Sequence, residues 1–173
     1  MKRLQICLRQ ALTSIISLNP ARSAQMALVR GKNTKPEMMV RKALHAAGLR
    51  YRLQDKSLPG RPDVVLPGRR VAIQARGCMW HMHGEPSCPL ARVPKTRQDF
   101  WIPKLEGNRA RDERNDAALQ TLGWHLEVVW ECCLLRVAER EAFLSDLAKR
   151  IKAMSVVGSI SRQRPPRGTP GPA

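Results

Sequence analysis

Acidic residues are scarce in this chain: 14 Asp and Glu stand against 31 Lys and Arg in 173 residues, a formal net charge of +17. That imbalance makes a densely negative partner the first expectation, nucleic acid above all. No run of about 18 apolar residues occurs, which excludes a hydrophobic helical membrane span. The first twenty residues open like an export signal, but Arg9 and Gln10 interrupt the apolar stretch and no convincing cleavage site follows, so a cytoplasmic protein is expected. The five cysteines, Cys7, Cys78, Cys88, Cys132 and Cys133, are odd in number, which argues against a disulfide framework and for metal ligation or free thiols. No internal repeat is present.

What remains suits one domain with a real core, 43% of the residues being hydrophobic. Residues 1–21 read as an extension, 22–154 as the folded domain, and 155–173, rich in Pro, Gly and Arg, as a disordered basic tail. Thr34-Lys35-Pro36-Glu37 is a capping box that opens a helix with Met39, Val40, Ala43, Leu44 and Ala47 on one face and Gly48 as its stop. Short apolar runs at Tyr51 and Leu53, Val64-Val65-Leu66 and Val71-Ala72-Ile73 predict strands, the last two joined through Pro67-Gly68-Arg69-Arg70. A long polar helix is expected from Thr96 to Leu122, broken at Pro103, then a strand from Leu126 to Trp130 and a closing helix from Ala138 to Met154. A hairpin followed by a helical crossover gives an α/β fold, a mixed sheet flanked by helices.

Two constellations carry chemistry. In Leu58-Pro59-Gly60-Arg61-Pro62-Asp63, a proline-framed turn sets a carboxylate at the entry to an apolar strand, where Asp63 either finishes the turn or ligates a hard divalent cation. Glu37 is either the acid of its capping box or part of the same site. Gln74-Ala75-Arg76 lies one hairpin further on, and Arg76, permanently protonated, can stabilise phosphorane charge but cannot accept a proton. The second constellation, from Gly77 through Cys88, packs two cysteines and two histidines into the eleven positions that start at Cys78. Cys78, Cys88, one histidine and Cys132 are enough for a tetrahedral structural zinc site. His81 and His83, two apart in an extended loop, point oppositely, which frees one for a base role or leaves it idle.

The basic residues, among them Arg61, Arg69, Arg70, Arg92, Lys95, Arg97 and Lys104, are scattered through loops and the long helix; each taken singly reads as a solvated surface charge, while the sum of +17 points to phosphate contacts by some of them. Trp101, Trp124 and Trp130, with apolar neighbours, are assigned to the core, while Trp80 belongs to the polar loop.

The matching stretches are Met26, Arg30-Gly31-Lys32-Asn33-Thr34-Lys35-Pro36-Glu37, Leu58 through Asp63, and Gly77-Cys78-Met79-Trp80-His81. They continue through Pro94-Lys95-Thr96-Arg97, Phe100-Trp101, Asn108 to Asp112, Gly123-Trp124 and Trp130-Glu131-Cys132. In these the chain resembles the very short patch repair (Vsr) DNA mismatch endonucleases.

The resemblance implies a restriction-endonuclease-like fold with a structural Zn2+ and an Mg2+-dependent nick. The cut falls 5′ to the thymine of a T:G mismatch left by 5-methylcytosine deamination. It implies that Asp63 binds the catalytic metal, with the Ala75 backbone carbonyl as a further contact, and that His81 is the general base. Glu37 is implied as an acid nearby, Asp112 as the group orienting His81, and Arg76 as the residue beside the metal where a histidine or other polar residue is usual. Zinc falls to Cys78, His83, Cys88 and Cys132. Met79, in place of the usual Phe, and Trp80 are the implied wedge into the base stack, with Met26 entering from the other groove. Residues 84–87 lengthen the gap between His83 and Cys88, so that loop must bulge. The implied setting is double-stranded DNA, with other repair proteins, in a bacterial, nucleoid-associated cytoplasm; a monomer is expected because nicking one strand needs only one active site. Two rivals stand beside it: a zinc-stabilised mismatch-binding protein impaired in catalysis, and a site-specific restriction-type nuclease.

Overall fold

The computed structural model describes residues 32–157. Cys7, Met26, the extension at 1–21 and the tail beyond 157 lie outside the described residues. Helix α1, Lys35–Ala46, begins directly after Thr34 and buries Val40 and Leu44. It stops where Leu49 N–H reaches the Leu44 carbonyl and Gly48 N–H that of His45, both at 2.9 Å, the paired bonds of a Schellman ending.

Four strands follow: β1 Arg52–Leu53, β2 Val64–Leu66, β3 Val71–Arg76 and β4 His125–Trp130, in spatial order β1-β2-β3-β4. β1 and β2, and β2 and β3, pair antiparallel, and a 3-10 turn at Pro67–Arg69 closes the second hairpin. β3 and β4 are parallel, with Ala75 beside Val129 and Arg76 beside Trp130. A parallel partner requires a crossover, supplied by α2, Gln98–Thr121; the chain then closes with α3, Val137–Ala153. The result is the expected mixed sheet flanked by helices, compatible with a restriction-endonuclease-like fold. β3 runs three residues past Ile73 because Gln74, Ala75 and Arg76 each find a partner on β4.

Alternation divides the side chains between the sheet's two faces. Val64, Leu66, Val71, Ile73 and Val129 pack with Val40 and Leu44 of α1 and Leu147 and Ile151 of α3. Gln74 and Arg76 take the opposite side, where Arg76 reaches Asp116 of α2. No helix among the described residues is long and apolar enough to cross a membrane.

Three expectations are corrected. Pro103 does not break α2, which continues through it for 24 residues in all. As the sixth residue it removes one ladder bond near the start, and the turns beyond it sustain the helix. Trp101, Trp124 and Trp130 are half-buried and stand outside the hydrophobic core. Each instead serves as a platform: Trp101 for Trp80, Trp124 for Arg70 and Trp130 for His83. Arg69 and Arg70 are committed inside the molecule: Arg69 bonds the carbonyls of Lys152 and Met154 at the end of α3, and Arg70 those of Leu122 and Gly123 at the end of α2. Cations there satisfy the open carbonyls of helix C-termini.

The turn before Asp63 depends on one glycine. Arg61 N–H meets the Leu58 carbonyl at 3.1 Å around Pro59 and Gly60, whose φ of +66° is the type II pattern. A Cβ on Gly60 would stand 2.9 Å from Cβ of Asn115 on α2. Gly60→Ala is expected to lower stability by about 1–2 kcal/mol from the backbone alone, with the contact adding to it. Urea unfolding checks this; an unchanged midpoint would show that the turn adapts.

Candidate metal and catalytic centre

The parallel register of β3 and β4 builds the first cluster. Cys78 lies two residues beyond Arg76 and Cys132 two beyond Trp130, so the pairing of those strand ends delivers both thiols to one place. Their ligand atoms and those of His83 and Cys88 all lie within 4.8 Å of one another. Cys132 Sγ stands 3.6 Å from His83 Nδ1, against the ~3.6 Å edge of a tetrahedron with metal bonds of about 2.3 and 2.05 Å. Residues 84–87 loop outward, all exposed, and Cys88 N–H turns back to the Glu85 carbonyl at 3.0 Å, which returns Cys88 to a buried position. The His83 ring stacks on Trp130 at 4.2 Å.

The thiols are electrostatically uneven. Burial pushes Cys78 upward; burial together with Cys78 pushes Cys132 far upward. Burial also acts to raise Cys88, but hydrogen bonds from His83 and the Leu90 amide, with those of the other thiols, outweigh it and hold Cys88 at about 7. Cys88 is thus the thiol that ionises most readily, while Cys78 and Cys132 hold their protons until a cation replaces them. Cys133 is half-buried and lies outside the cluster.

The second cluster forms around Asp63. Its Oδ2 accepts the Ala75 N–H at 2.9 Å, and burial raises its carboxyl above the usual range. The Ala75 bond opposes that rise, Glu37 reinforces it, and Arg41 and His81 lower it, so all four groups share one electrostatic neighbourhood. Glu37, 4% exposed, pairs with Arg41 at 2.8 Å. His81 Nδ1 meets Asp112 Oδ2 at 2.5 Å. Arg76 pairs with Asp116 at 2.6 Å and bonds Gln74 Oε1 at 3.1 Å.

Asp63, Glu37, His81 and Asp112 are therefore brought together, with Ala75 and Arg76 on the adjoining strand end. The loop from Cys78 to His83 is not extended, as the sequence reading supposed. His81 N–H bonds the Gly77 carbonyl, His83 N–H that of Cys78, and Met82 takes a left-handed φ of +47°. That coiled backbone turns the two imidazoles to different clusters. Met79 and Trp80 are half-buried on the same loop; Trp80 meets Trp101 edge-on at 5.7 Å, and its carbonyl accepts Asn108 Nδ2 at 3.2 Å.

Sequence reasoning missed Arg41 and Asp116, and gave Asn108, which opens one of the matching stretches, no role. Their signal is spacing: Arg41 stands four beyond Glu37, and Asn108, Asp112 and Asp116 recur every four residues along α2.

The DNA mismatch endonuclease Vsr family model matches residues 17–87. A type II nicking enzyme of Xanthomonas oryzae pv. oryzae is 49% identical over 122 residues, 70% of this chain and 88% of the relative. The DNA mismatch endonuclease Vsr of Escherichia coli is 43% identical over 113 residues, 65% and 70% of the two chains. A type II nicking enzyme of Neisseria meningitidis is 40% identical over 131 residues, 76% and 91%.

The raised Asp63 carboxyl sets a pH dependence. With a folded pKa above the unfolded value of 3.8, its contribution to stability is fully present below 3.8 and is lost as pH rises through the folded pKa. Asp63→Asn keeps an acceptor for Ala75 without the charge. In buffer free of divalent cations it is expected to melt higher than the wild type at neutral pH, the gap closing as pH falls. A wild type that melts as high at neutral pH would refute the assignment.

Proposed function

Because the chain belongs to the Vsr family of DNA mismatch endonucleases, we propose that it nicks one strand of double-stranded DNA 5′ to the thymine of a T:G mismatch. The reaction is magnesium-dependent phosphodiester hydrolysis. The observation that carries this reading is the His81–Asp112 pair at 2.5 Å in the electrostatic neighbourhood of the half-buried Asp63.

With Nδ1–H given to Asp112, His81 keeps a lone pair on Nε2, the arrangement a general base needs. Nε2 takes a proton from water as the water oxygen bonds to phosphorus and the bond to the leaving oxygen breaks. The donors fit a hard cation: the Asp63 carboxylate is desolvated, and Ala75 occupies one of its oxygens. Magnesium held by Asp63 and the Ala75 carbonyl would neutralise charge developing on the phosphodiester. Glu37, fixed by Arg41, borders that site.

Cys78, His83, Cys88 and Cys132 fit zinc by donor type and spacing, and four protein ligands make such a site a staple that holds the β3 and β4 ends together. Met79 and Trp80 enter the base stack beside the mismatch, where a mismatched step opens more readily than a paired one; Met26 enters from the other groove. A monomer suffices for a one-strand cut, and the setting is the nucleoid of a bacterial cytoplasm, alongside other repair proteins.

The test is a strand-resolved assay on a labelled duplex carrying T:G in a cytosine-methylation context, beside its C:G control. A magnesium-dependent nick 5′ to the T of the mismatched duplex alone is expected. Mismatch binding with no nick would leave a binding protein, and cutting of the paired control a restriction-type nuclease. Metal analysis is expected to give one zinc per chain, lost in Cys132→Ser together with several degrees of melting temperature; full zinc content in that variant would remove Cys132 from the site.

A further inference from the structure

The inward stripe of α2 reaches one turn beyond His81. Asn108 holds the Trp80 carbonyl and Asp112 holds His81; one turn on, Asp116 holds the guanidinium of Arg76. Arg76 is 7% exposed at the end of β3, next in sequence to the Ala75 amide that holds Asp63. Its Nη2 bonds both Asp116 Oδ1 and Gln74 Oε1, and its Nε bonds Gln74 Oε1 at 3.3 Å. The Nη1 group has no partner among the described residues and retains contact with solvent. A guanidinium gripped along one edge, with the other left open at the strand end whose Ala75 amide holds Asp63, is a fixed donor for an anion.

The geometry points to Asp116 as a positioning residue for the proposed nicking reaction, one that holds Arg76 so that Nη1 donates to a nonbridging oxygen of the scissile phosphate. Arg76 is then the catalytic residue, stabilising charge that grows in the phosphorane, and Asp116 acts only through it. Gln74 completes the grip. This inference rests on the nicking reading of the site and adds to it a carboxylate that touches neither DNA nor metal.

Such a role predicts a dependence that a purely structural ion pair does not. On the T:G duplex with magnesium, Asp116→Asn is expected to lower the single-turnover nicking rate roughly ten- to hundredfold, with duplex affinity measured without divalent cations unchanged. Arg76→Ala falls at least as far, and Arg76→Ala/Asp116→Asn falls no further than Arg76→Ala. Added guanidinium ion is expected to restore part of the rate to Arg76→Ala but none to the double variant, since the added ion needs Asp116 to seat it.

Wild-type nicking by Asp116→Asn, multiplying defects in the double variant, or equal rescue of both backgrounds would overturn the proposal. Should Asp116→Asn fail to fold because it leaves Arg76 uncompensated, the comparison of rescue in Arg76→Ala and Arg76→Ala/Asp116→Ala carries the same test, as neither leaves that charge in place. Absence of any nick by the wild type would instead sink the parent reading, and this inference with it.

Discussion

The parallel pairing of β3 with β4 is the constraint on which the rest depends. It sets Arg76 beside Trp130, and from that one register Cys78 and Cys132 emerge side by side, 54 positions apart in the chain. The same strand end carries Ala75, whose amide grips Asp63, and Arg76, whose guanidinium meets α2. A slip of one residue would send Gln74 and Arg76 toward the apolar face and separate the thiols. The Cys/His cluster and the cluster around Asp63 are thus two products of one strand alignment, and a cation in the first would tie down the frame of the second.

Helix α2 supplies the other half of the frame in an unusual currency. Between its buried ends, Leu105 and Leu119, the inward stripe is polar: Asn108, Asp112 and Asp116. Each has a partner. A buried polar group left without one forfeits about 1–3 kcal/mol, and breaking a buried ion pair about 3–5 kcal/mol. The stripe therefore specifies which side chains of the β3 end and the following loop sit opposite it, in a way an apolar face would not. It also explains why the helix looks uniformly polar in sequence, since the residues that face inward are chemically the same kind as those that face water.

That likeness marks where the reading of the residues ran out. The stops at Gly48 and Gly123, the hairpin, the crossover and the closing helix were legible because each has a local cause in turn residues, periodicity or capping. The three tryptophans were misplaced because apolar neighbours in sequence do not reveal that each ring serves as a platform for a side chain from elsewhere: Trp80, Arg70 or His83. Arg69 and Arg70 looked like solvated surface charges because a carbonyl at a distant helix end has no trace near them. Asp63, His81 and the four clustered Cys and His residues stood out by residue type and spacing, whereas Asp116 did not, its partner lying 40 residues away.

By itself the sequence determined the class of partner through a charge of +17, the order of elements through local turn and capping chemistry, and the set of side chains able to bind metal or move a proton. The tertiary structure decided how those side chains are shared out. It sent His83 to the thiols and His81 to Asp112, gave Asp63 to the Ala75 amide, and set Arg76 against Asp116. The physical reason is that ligand and hydrogen-bond geometry tolerates errors of only tenths of an ångström. Such tolerance is met by a parallel register and a helix crossing, both made of contacts between residues far apart in the chain.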